Sequence, residues 1–350
     1  TIGKAPLYVY AKDASREYGV ENPVFEADYS GFRNSEKLED IGLNQAPDLS
    51  TDATISSDAG DYAITANVTG LLARNYALLS RVQKGKLTIG KAALTVAAQD
   101  ESREYGEDNP AFSPVFTGFR NGQKLSDIGL VGTPQMSTTA RKDSDVGEYD
   151  IVTVVDGLSS KNYSFSVRAL SGKLTVGKAT LTVSAQDASR EYGLANPDFV
   201  AVYEGFKNSD DIAKANVNKA PGLSTSATAA SEVGNYDISA DVSGMSSNNY
   251  SFVSKAVKGK LTIGKAPLYV YAKDASREYG VENPVFEADY SGFRNSEKLE
   301  DIGLNQAPDL STDATISSDA GDYAITANVT GLLARNYALL SRVQKGKLTV

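Results

Sequence analysis

The chain repeats itself at an interval of 87 residues. The motif Arg16-Glu17-Tyr18-Gly19 returns at Arg103, Arg190 and Arg277 without an insertion or deletion. This period is longer than the units of about 20 to 50 residues in solenoids and propellers, which cannot bury their apolar faces alone. It suits a small autonomous domain instead. We therefore predict four tandem domains, at residues 1–89, 90–176, 177–263 and 264–350.

The four copies differ in how closely they resemble one another. Residues 1–88 and 262–349 are identical, whereas the second and third copies depart from them at many positions. This indicates a higher-order period of three domains, in which the fourth copy starts the triplet again.

One stretch closes each domain and opens the next. It runs from Gly85 to Val96, and recurs from Gly172 and from Gly259. Such a connection is too short, and too closely flanked by β-branched residues, to behave as a flexible Gly/Ser linker. We therefore expect the domains to stand end to end as an elongated rod.

Within a domain, alternating apolar residues predict about six strands. In the first strand, Leu7 and Val9 stay Leu and Val in every copy while Tyr8 and Tyr10 vary, so the invariant pair should face the core. The other predicted strands lie at Phe25 to Tyr29, Asp48 to Ile55, Tyr62 to Val68, Tyr76 to Val82, and Leu87 to Ile89.

Two segments lack this alternation. Between Ser35 and Ile41 the apolar period becomes three or four, which predicts one or two turns of helix with Ser35 as its N-cap. The segment from Arg16 to Pro23 predicts a loop, because glycine and proline favour turns. The predicted class is therefore mostly β, with one short helix in each domain.

Composition argues against several functions. With no cysteine and no histidine, the chain has no thiolate nucleophile, imidazole base or metal site built on either residue. Most enzyme mechanisms are thereby excluded, and we expect neither catalysis nor a cofactor. The net charge of −9 argues against binding to nucleic acid or to anionic lipid. No apolar run approaches the ~20 residues of a membrane helix, so we expect no membrane insertion.

The expected location follows from the repeats. Lack of cysteine usually favours a reducing compartment, but a long repetitive chain that passes through a secretion channel also does better without thiols that could mispair. We give more weight to the repeats and expect an extracellular protein. Since the sequence has no signal peptide, we expect it to be an internal segment of a longer chain.

The ordered motifs of each repeat resemble the MBG domain of the YGX type. In the first repeat, the positions that carry this resemblance are Arg16, Glu17, Tyr18, Gly19, Asn22, Pro23, Gly31, Phe32, Gly60, Tyr62, Asn75, Tyr76, Gly85, Lys86 and Leu87. The resemblance implies β-grasp-like or immunoglobulin-like stalk modules, arrayed in large bacterial surface and secreted proteins that include filamentous-haemagglutinin-like adhesins. It brings no catalytic residue, so these positions are expected to be structural.

A calcium loop is one candidate site. Asp143, Asp145 and Glu148 provide the oxygen ligands that Ca²⁺ prefers. The aligned residues in the first copy are Ser56, Asp58 and Asp61, and in the third Ala230, Glu232 and Asn235, so the number of carboxylates falls. A solvated turn is the favoured interpretation.

Two other features of the motif suggest possible sites. Lys86, Asn22, Asn34, Asn75 and Glu17 recur in register and could supply an intramolecular Lys–Asn isopeptide bond. Tyr8 and Tyr10 could stack on sugar rings. Because the second and third copies have Thr, Ala or Ser at the tyrosine positions, cross-strand packing is the favoured role.

The predicted function is a non-catalytic stalk in a bacterial surface adhesin, holding a distal functional domain away from the cell. Its partners would be the neighbouring repeats, and host or matrix glycans through the parent protein; we expect a monomer. At ~3.3 Å per strand residue, each domain should span roughly 30–45 Å. The alternative is an array of weak sites for glycan or biofilm polysaccharide, acting through multivalency.

Overall fold

The computed structural model describes residues 1–80, 85–169, 172–342 and 346–350. Contacts between residues divide the chain into two compact units, Thr1–Gly177 and Lys178–Val350, which we describe separately. Each unit contains two repeats. Val82, which we expected on the inner face of a strand, lies outside the described residues.

Seven strands form in the described part of each repeat. In repeat 1 these are β1 Ala5–Ala11, β2 Ala14–Glu17, β3 Ala27–Ser30, β4 Asp48–Ser50, β5 Gly60–Asn67, β6 Tyr76–Ser80 and β7 Gly85–Gly90. In repeat 2 they are β8 Ala92–Ala98, β9 Glu101–Glu104, β10 Pro114–Thr117, β11 Gln135–Thr138, β12 Gly147–Val154, β13 Tyr163–Val167 and β14 Gly172–Gly177.

The second unit follows the same order. Repeat 3 contains β15 Ala179–Ala185, β16 Ala188–Glu191, β17 Ala201–Glu204, β18 Gly222–Thr225, β19 Gly234–Asp241, β20 Tyr250–Ser254 and β21 Gly259–Gly264. Repeat 4 contains β22 Ala266–Ala272, β23 Ala275–Ser276, β24 Ala288–Ser291, β25 Asp309–Thr312, β26 Asp322–Asn328, β27 Tyr337–Ser341 and β28 Gly346–Thr349.

Every repeat builds two sheets. In repeat 1 the three-stranded sheet has the order β3-β1-β6 and the four-stranded sheet the order β2-β7-β5-β4. Strand β1 pairs antiparallel with β3 and parallel with β6, and β7 pairs antiparallel with β5 and parallel with β2. The mostly β prediction is confirmed. Two sheets in one repeat correspond to the immunoglobulin-like alternative, since the only helical elements among the described residues are three-residue turns.

The core lies between the sheets, where the alternation of side chains places it. Leu7 and Val9 of β1 and Leu87 of β7 are fully buried, as is Ile64 of β5. Tyr8, between the two buried β1 residues, is 41% exposed. The inner and outer faces of β1 are therefore those that the sequence predicted.

Two predicted elements need correction. Arg16 and Glu17 belong to strand β2 and not to a loop, because the β2 backbone pairs with β7 through Arg16 and Ile89. The strand predicted from Phe25 begins at Ala27, and the strand predicted from Asp48 to Ile55 ends at Ser50. The sequence therefore does not reveal strand β2, because the glycine and proline of this segment favour a turn.

The predicted helix is a single 3₁₀ turn. It spans Leu38–Asp40 in repeat 1, Leu125–Asp127 in repeat 2 and Leu299–Asp301 in repeat 4, and no helix is assigned among the described residues of repeat 3. Its N-cap is Lys37, whose amide donates to the Asp40 carboxylate over 2.8 Å. Ser35 is not the cap, because it lies two residues earlier in a left-handed conformation, with φ 58°.

The glycine that opens the last strand of each repeat lies against the first strand. A Cβ on Gly259 would come within 2.4 Å of the Ala185 carbonyl oxygen, and the same approach recurs at Gly85, Gly172 and Gly346. No side chain fits at that distance without moving the backbone. The glycine in the Gly-Lys-Leu motif is therefore fixed by packing within the repeat.

Gly259→Ala should destabilise repeat 3 by about 1–3 kcal/mol, as overpacking does elsewhere. The matched control is Gly264→Ala at the other end of the same strand, where the nearest atom to a new Cβ is 3.9 Å away. Hydrogen exchange followed by mass spectrometry can measure both, since the repeat 3 sequence is unique in the chain. Equal exchange rates in the two variants would contradict the packing role.

Candidate functional site: the joints between repeats

Successive repeats are connected by one residue. Strand β7 ends at Gly90 and β8 begins at Ala92, so Lys91 alone lies between them. Its Nζ donates to the Ser160 carbonyl oxygen over 2.7 Å. Lys265 occupies the same place between β21 and β22 and bonds to the Ala334 carbonyl oxygen over 2.9 Å. Both connections are therefore short and held by the repeat that follows.

A pair of tyrosines from adjacent repeats packs at the 1–2 joint, by which we mean the contact between repeats 1 and 2. The rings of Tyr18 and Tyr163 meet edge to face, with centroids 5.5 Å apart and planes at 74°. Both hydroxyls donate to Oε1 of Gln123, over 3.2 Å from Tyr18 and 2.7 Å from Tyr163. An edge-to-face pair contributes about 0.5–1.5 kcal/mol beyond area burial.

The 3–4 joint, between repeats 3 and 4, has the same construction. The rings of Tyr192 and Tyr337 lie 5.6 Å apart at 79°. Here a carboxylate replaces the amide, because Glu297 accepts hydrogen bonds from both hydroxyls. Burial and the Glu297 hydrogen bond raise the pKa of Tyr337 to about 12. The tyrosine therefore keeps its proton, and remains a donor, at neutral pH.

The glycine after the joint tyrosine is required by the neighbouring repeat. A Cβ on Gly19 would come within 2.4 Å of the Arg120 Cβ, and one on Gly193 equally close to the Arg294 Cβ. Both glycines have positive φ, 74° and 79°, a conformation that L side chains rarely adopt. The Tyr-Gly pair is thus explained by contact between domains as well as by turn geometry.

An acidic residue of repeat 1 forms hydrogen bonds to repeat 2 across the 1–2 joint. The Asp58 carboxylate accepts hydrogen bonds from Lys161 and from Asn162 Nδ2, the latter over 2.8 Å. The Asn162 Oδ1 in turn accepts from the Ala59 amide over 2.8 Å. The side-chain amide of Asn162 therefore forms two hydrogen bonds to repeat 1, as a donor through Nδ2 and as an acceptor through Oδ1.

The 3–4 joint has equivalent contacts, in which Glu232 and Arg335 take the places of Asp58 and Lys161. Glu232 pairs with Arg335 over 3.3 Å, and the Val233 amide donates to Asn336 Oδ1 over 3.1 Å. The charges are conserved in sign, with the acid on the earlier repeat and the base on the later one. A second pair of the same sense joins Glu17 to Arg120 and Glu191 to Arg294, at 3.7 and 3.9 Å.

The apolar cores of adjacent repeats meet at these joints. One buried cluster contains Tyr18, Leu87 and Ile89 from repeat 1 together with Ile128 and Tyr163 from repeat 2. Another contains Tyr192 and Ile263 from repeat 3 together with Ile302 and Tyr337 from repeat 4. A joint of this kind resists separation, because opening it exposes apolar surface to water.

Repeat 4 shows what the following repeat contributes. Tyr279 is the counterpart of Tyr18 in an identical sequence, and no other repeat covers it in the described part of the structure. Tyr279 is 64% exposed, whereas Tyr18 and Tyr192 are each 3% exposed. The burial of the joint tyrosine therefore comes from the next repeat.

The arginine and asparagine of the motif act within their own repeat. Nε of Arg16 donates to Asn22 Oδ1 over 2.7 Å, and Asn22 Nδ2 donates to the Ala53 carbonyl oxygen over 2.7 Å. The same Nε–Oδ1 bond joins Arg103 to Asn109, Arg190 to Asn196 and Arg277 to Asn283, and the Nδ2 of each asparagine donates to a backbone carbonyl oxygen, that of Ala140, Ala227 or Ala314. They hold the loop that carries the joint tyrosine.

Several joint residues were not predicted as site residues. Gln123 and Lys161 differ in type from their counterparts in the other repeats, so the repeat pattern did not single them out. The pairing of Asp58 with Lys161 had a partial signal, because the acid at that position persists as Asp145 and Glu232. Its partner lies 103 residues away, and no local pattern connects the two.

The calcium hypothesis gains no support. Within the described residues, no group of three or more acidic side chains is placed to hold a metal ion. In repeats 1 and 3 the residues aligned with Asp145 are Asp58 and Glu232, which pair with Lys161 and Arg335. The acidic turn therefore supplies joint residues in those two repeats.

The isopeptide hypothesis also gains no support. Nζ of Lys86 lies 3.3 Å from the Asp61 carboxylate, and both side chains are about half exposed. Asn22 is engaged by Arg16 and the Ala53 carbonyl oxygen, as described above. Lysine and asparagine are thus both occupied by other partners.

Replacing the joint tyrosine should loosen the joint. Tyr18→Ala removes the buried ring and is expected to cost about 2 kcal/mol or more of contact free energy, as a central interface residue does. The chain has no cysteine, so Thr65→Cys and Val152→Cys place spin labels at equivalent exposed strand positions of repeats 1 and 2. Pulsed EPR should then record a wider distribution of distances in Tyr18→Ala.

Tyr279→Ala is the matched control, since it is the same change in an identical repeat without a covering neighbour. It should leave the distance distribution unchanged. If the distance distribution is as narrow in Tyr18→Ala as in the spin-labelled protein that keeps Tyr18, the tyrosine does not hold the joint.

The joint should also respond to acid. Hydrogen bonds from Lys161 and then Asn162 lower the pKa of Asp58. A lowered pKa in the folded joint means that this stabilisation is present above the ordinary value of about 4, and is lost as pH falls through the folded value. Lys161→Ala should raise the pKa of Asp58 toward its ordinary value, measured by carboxyl NMR titration. Asp61, whose pKa is lowered by Thr88 and Lys86, serves as the internal control. An unchanged Asp58 would contradict the pairing.

Comparison with known proteins finds distant likenesses among solved structures. The structure "Protocadherin gammaB7 EC3-6 cis-dimer structure" shows 10% identity over 99% of this chain and 100% of that one, with a TM-score of 0.25. "Crystal structure of the Protocadherin GammaB4 extracellular domain" shows 9% identity over 98% and 67%, with a TM-score of 0.23. "Sidekick-1 immunoglobulin domains 1-4" shows 12% identity over 96% and 99%, with a TM-score of 0.22.

Likenesses this distant carry no argument about function. No curated protein matches the chain in sequence. Among the described residues, no helix is both long and apolar enough to cross a membrane. The family model of the MBG domain (YGX type) matches residues 7–88, 94–175, 181–262 and 268–349. The chain therefore belongs to the MBG domain family of the YGX type, as four tandem copies.

Proposed function

We propose that this chain is a non-catalytic spacer of an extracellular bacterial surface protein, and that it holds a distal adhesive or other functional domain away from the cell. The observation that carries the proposal is the construction of the joints. Each joint described combines a one-residue connection with a buried tyrosine pair and at least one acid–base pair.

A spacer needs neighbours that keep their relative orientation. A domain of this size buries only about 60–65% of its unfolded surface, so the contact with its neighbour adds to a marginal stability. Stability in repeat arrays is approximately a sum of terms for each repeat and each interface. Copy number then sets reach without changing the joint.

The bacterial surface location and the adhesin-like parent are part of this proposal. They are supported by the motif resemblance and by the tandem repeats. The net charge of −9 keeps a long row of domains soluble.

A second candidate function is multivalent binding of glycan or matrix polysaccharide. The observation that favours it is the outward side of β1, where Tyr8 and its counterpart Tyr269 are each 41% exposed. The corresponding residues in repeats 2 and 3 are Thr95 and Thr182, so the aromatic surface belongs to two of the four repeats. This weakens the candidate as a property of the array.

Small-angle X-ray scattering of fragments with one to four repeats tests the spacer role. The maximum dimension should grow by roughly 30–45 Å with each repeat, the span of a domain at ~3.3 Å per strand residue. Measurements with and without a chelator should agree. A four-repeat chain whose maximum dimension equals that of two repeats would overturn the proposal.

The same fragments separate the two candidates. A spacer should pass unretained over immobilised host glycans and biofilm polysaccharide, whatever its repeat number. Retention that grows with repeat number, and that Tyr8→Ala with Tyr269→Ala abolishes, would support the multivalent binder instead.

A further inference from the structure

A cavity of about 410 Å³ lies in repeat 2, beside the start of strand β14. The residues that line it include Ala97, Val115, Thr117 and Arg168. Small-molecule sites have volumes in this range and combine an apolar lining with a few polar groups. The cavity therefore has the size and the kind of lining that a small ligand needs.

The arginine of this cavity occupies a position whose backbone is held alike in three repeats. The Arg168 amide donates to the Val96 carbonyl oxygen over 3.0 Å. The amides of its counterparts, Lys255 in repeat 3 and Arg342 in repeat 4, make the same bond over 2.8 and 3.0 Å. The three basic side chains therefore start from the same place, and their surroundings can be compared directly.

In repeats 3 and 4 the basic side chain has a partner. Nζ of Lys255 lies 2.8 and 2.9 Å from the two carboxylate oxygens of Glu204. The guanidinium of Arg342 lies over the ring of Tyr271, 5.3 Å from its centroid. A carboxylate and a six-membered ring are thus the two groups that contact this cation elsewhere in the chain.

Repeat 2 has neither partner. The residue aligned with Glu204 is Thr117, and the residue aligned with Tyr271 is Ala97. Both of these smaller residues line the cavity. Within the described part of the chain, the exposed Arg168 side chain has no ion pair, hydrogen bond or ring contact. The cavity therefore lies where the other repeats place a ring or a carboxylate.

The other charged residues that line the cavity already have partners. Nζ of Lys173 lies 2.8 Å from the Asp150 carboxylate. The Lys173 backbone amide donates to Asp100 Oδ1 over 2.8 Å. The positive charge that a ligand would meet is therefore that of Arg168.

We propose that this cavity binds a six-membered ring that carries a carboxylate. The ring takes the place that Tyr271 has in repeat 4, and the carboxylate takes the place that Glu204 has in repeat 3. Arginine suits such a ligand, because its planar guanidinium both lies against rings and pairs bidentately with carboxylates. A uronic acid sugar and an aromatic acid share this chemistry, and the experiment below separates them.

This site is distinct from the aromatic surface at Tyr8. Repeat 2 has Thr95 at that position, so the two would bind by different contacts. Binding should be weak, with a dissociation constant on the order of 1–10 mM, because an exposed ion pair contributes little by itself. The spacer role does not depend on the site, since it lies on one repeat and leaves the joints unchanged.

Saturation-transfer NMR on the complete 350-residue chain tests the proposal, with methyl glucuronide, benzoate and methyl glucoside as probes. At least one of the two acids should receive saturation from the protein, whereas the neutral glucoside should not. Arg168→Gln should reduce the transfer severalfold, because it removes the charge that pairs with the carboxylate. Arg342→Gln is the matched control, since it makes the same change at the equivalent position of repeat 4, and it should leave the transfer unchanged.

Two further variants fill the cavity with side chains that other repeats carry. Ala97→Tyr supplies the ring found in repeat 4, and Thr117→Glu supplies the carboxylate found in repeat 3. Each should abolish binding although Arg168 is still present, because the new side chain contacts the guanidinium in place of the ligand. Circular dichroism confirms that each variant is folded.

The outcomes decide the proposal in both directions. Transfer that is lost in Arg168→Gln and in both filled variants, and kept in Arg342→Gln, supports the site. Loss for the glucuronide alone identifies a sugar site, and loss for benzoate alone identifies an aromatic-acid site. No transfer to either acid at about 20 mM, above the expected dissociation constant, overturns the proposal, and so does transfer that Arg168→Gln leaves unchanged.

Discussion

The arrangement of neighbouring repeats depends on one tyrosine that its own domain cannot bury. Tyr18 and Tyr192 extend from their repeats on a tight Tyr-Gly turn and are covered only by the repeat that follows. A large aromatic side chain left in water would forgo the free energy of apolar burial. Covering it fixes where the next domain sits, and the glycine beside it lets the two backbones approach closely.

Around that contact, the motif residues divide into two groups with different tasks. Arg16 and Asn22 hold the turn from within the repeat, and Gly85 allows the last strand to approach the first. Asp58 and the tyrosine reach outward to Lys161 and Tyr163 of the next repeat. A single motif can thus specify both the fold of a domain and its attachment, which suits a chain in which each copy must both fold and connect.

Much of the fold could be predicted from the sequence because alternation along a strand is local. The buried Leu7 and Val9 and the exposed Tyr8 followed directly from it. Strand β2 was missed because its pairing partner, β7, lies some seventy residues away and the local signal was a glycine turn. The joint was harder still to predict. The Tyr18 hydroxyl contacts Gln123, 105 residues later, at a position where other repeats have Glu36, Asp210 and Glu297.

The central claim is that adjacent repeats are energetically coupled through the joint. Denaturant unfolding of residues 1–89, 90–176 and 1–176 measures this coupling most directly. The account predicts that the two-repeat fragment unfolds in a single transition, with a midpoint above that of either single repeat. Two separate transitions at the midpoints of the single repeats would contradict it.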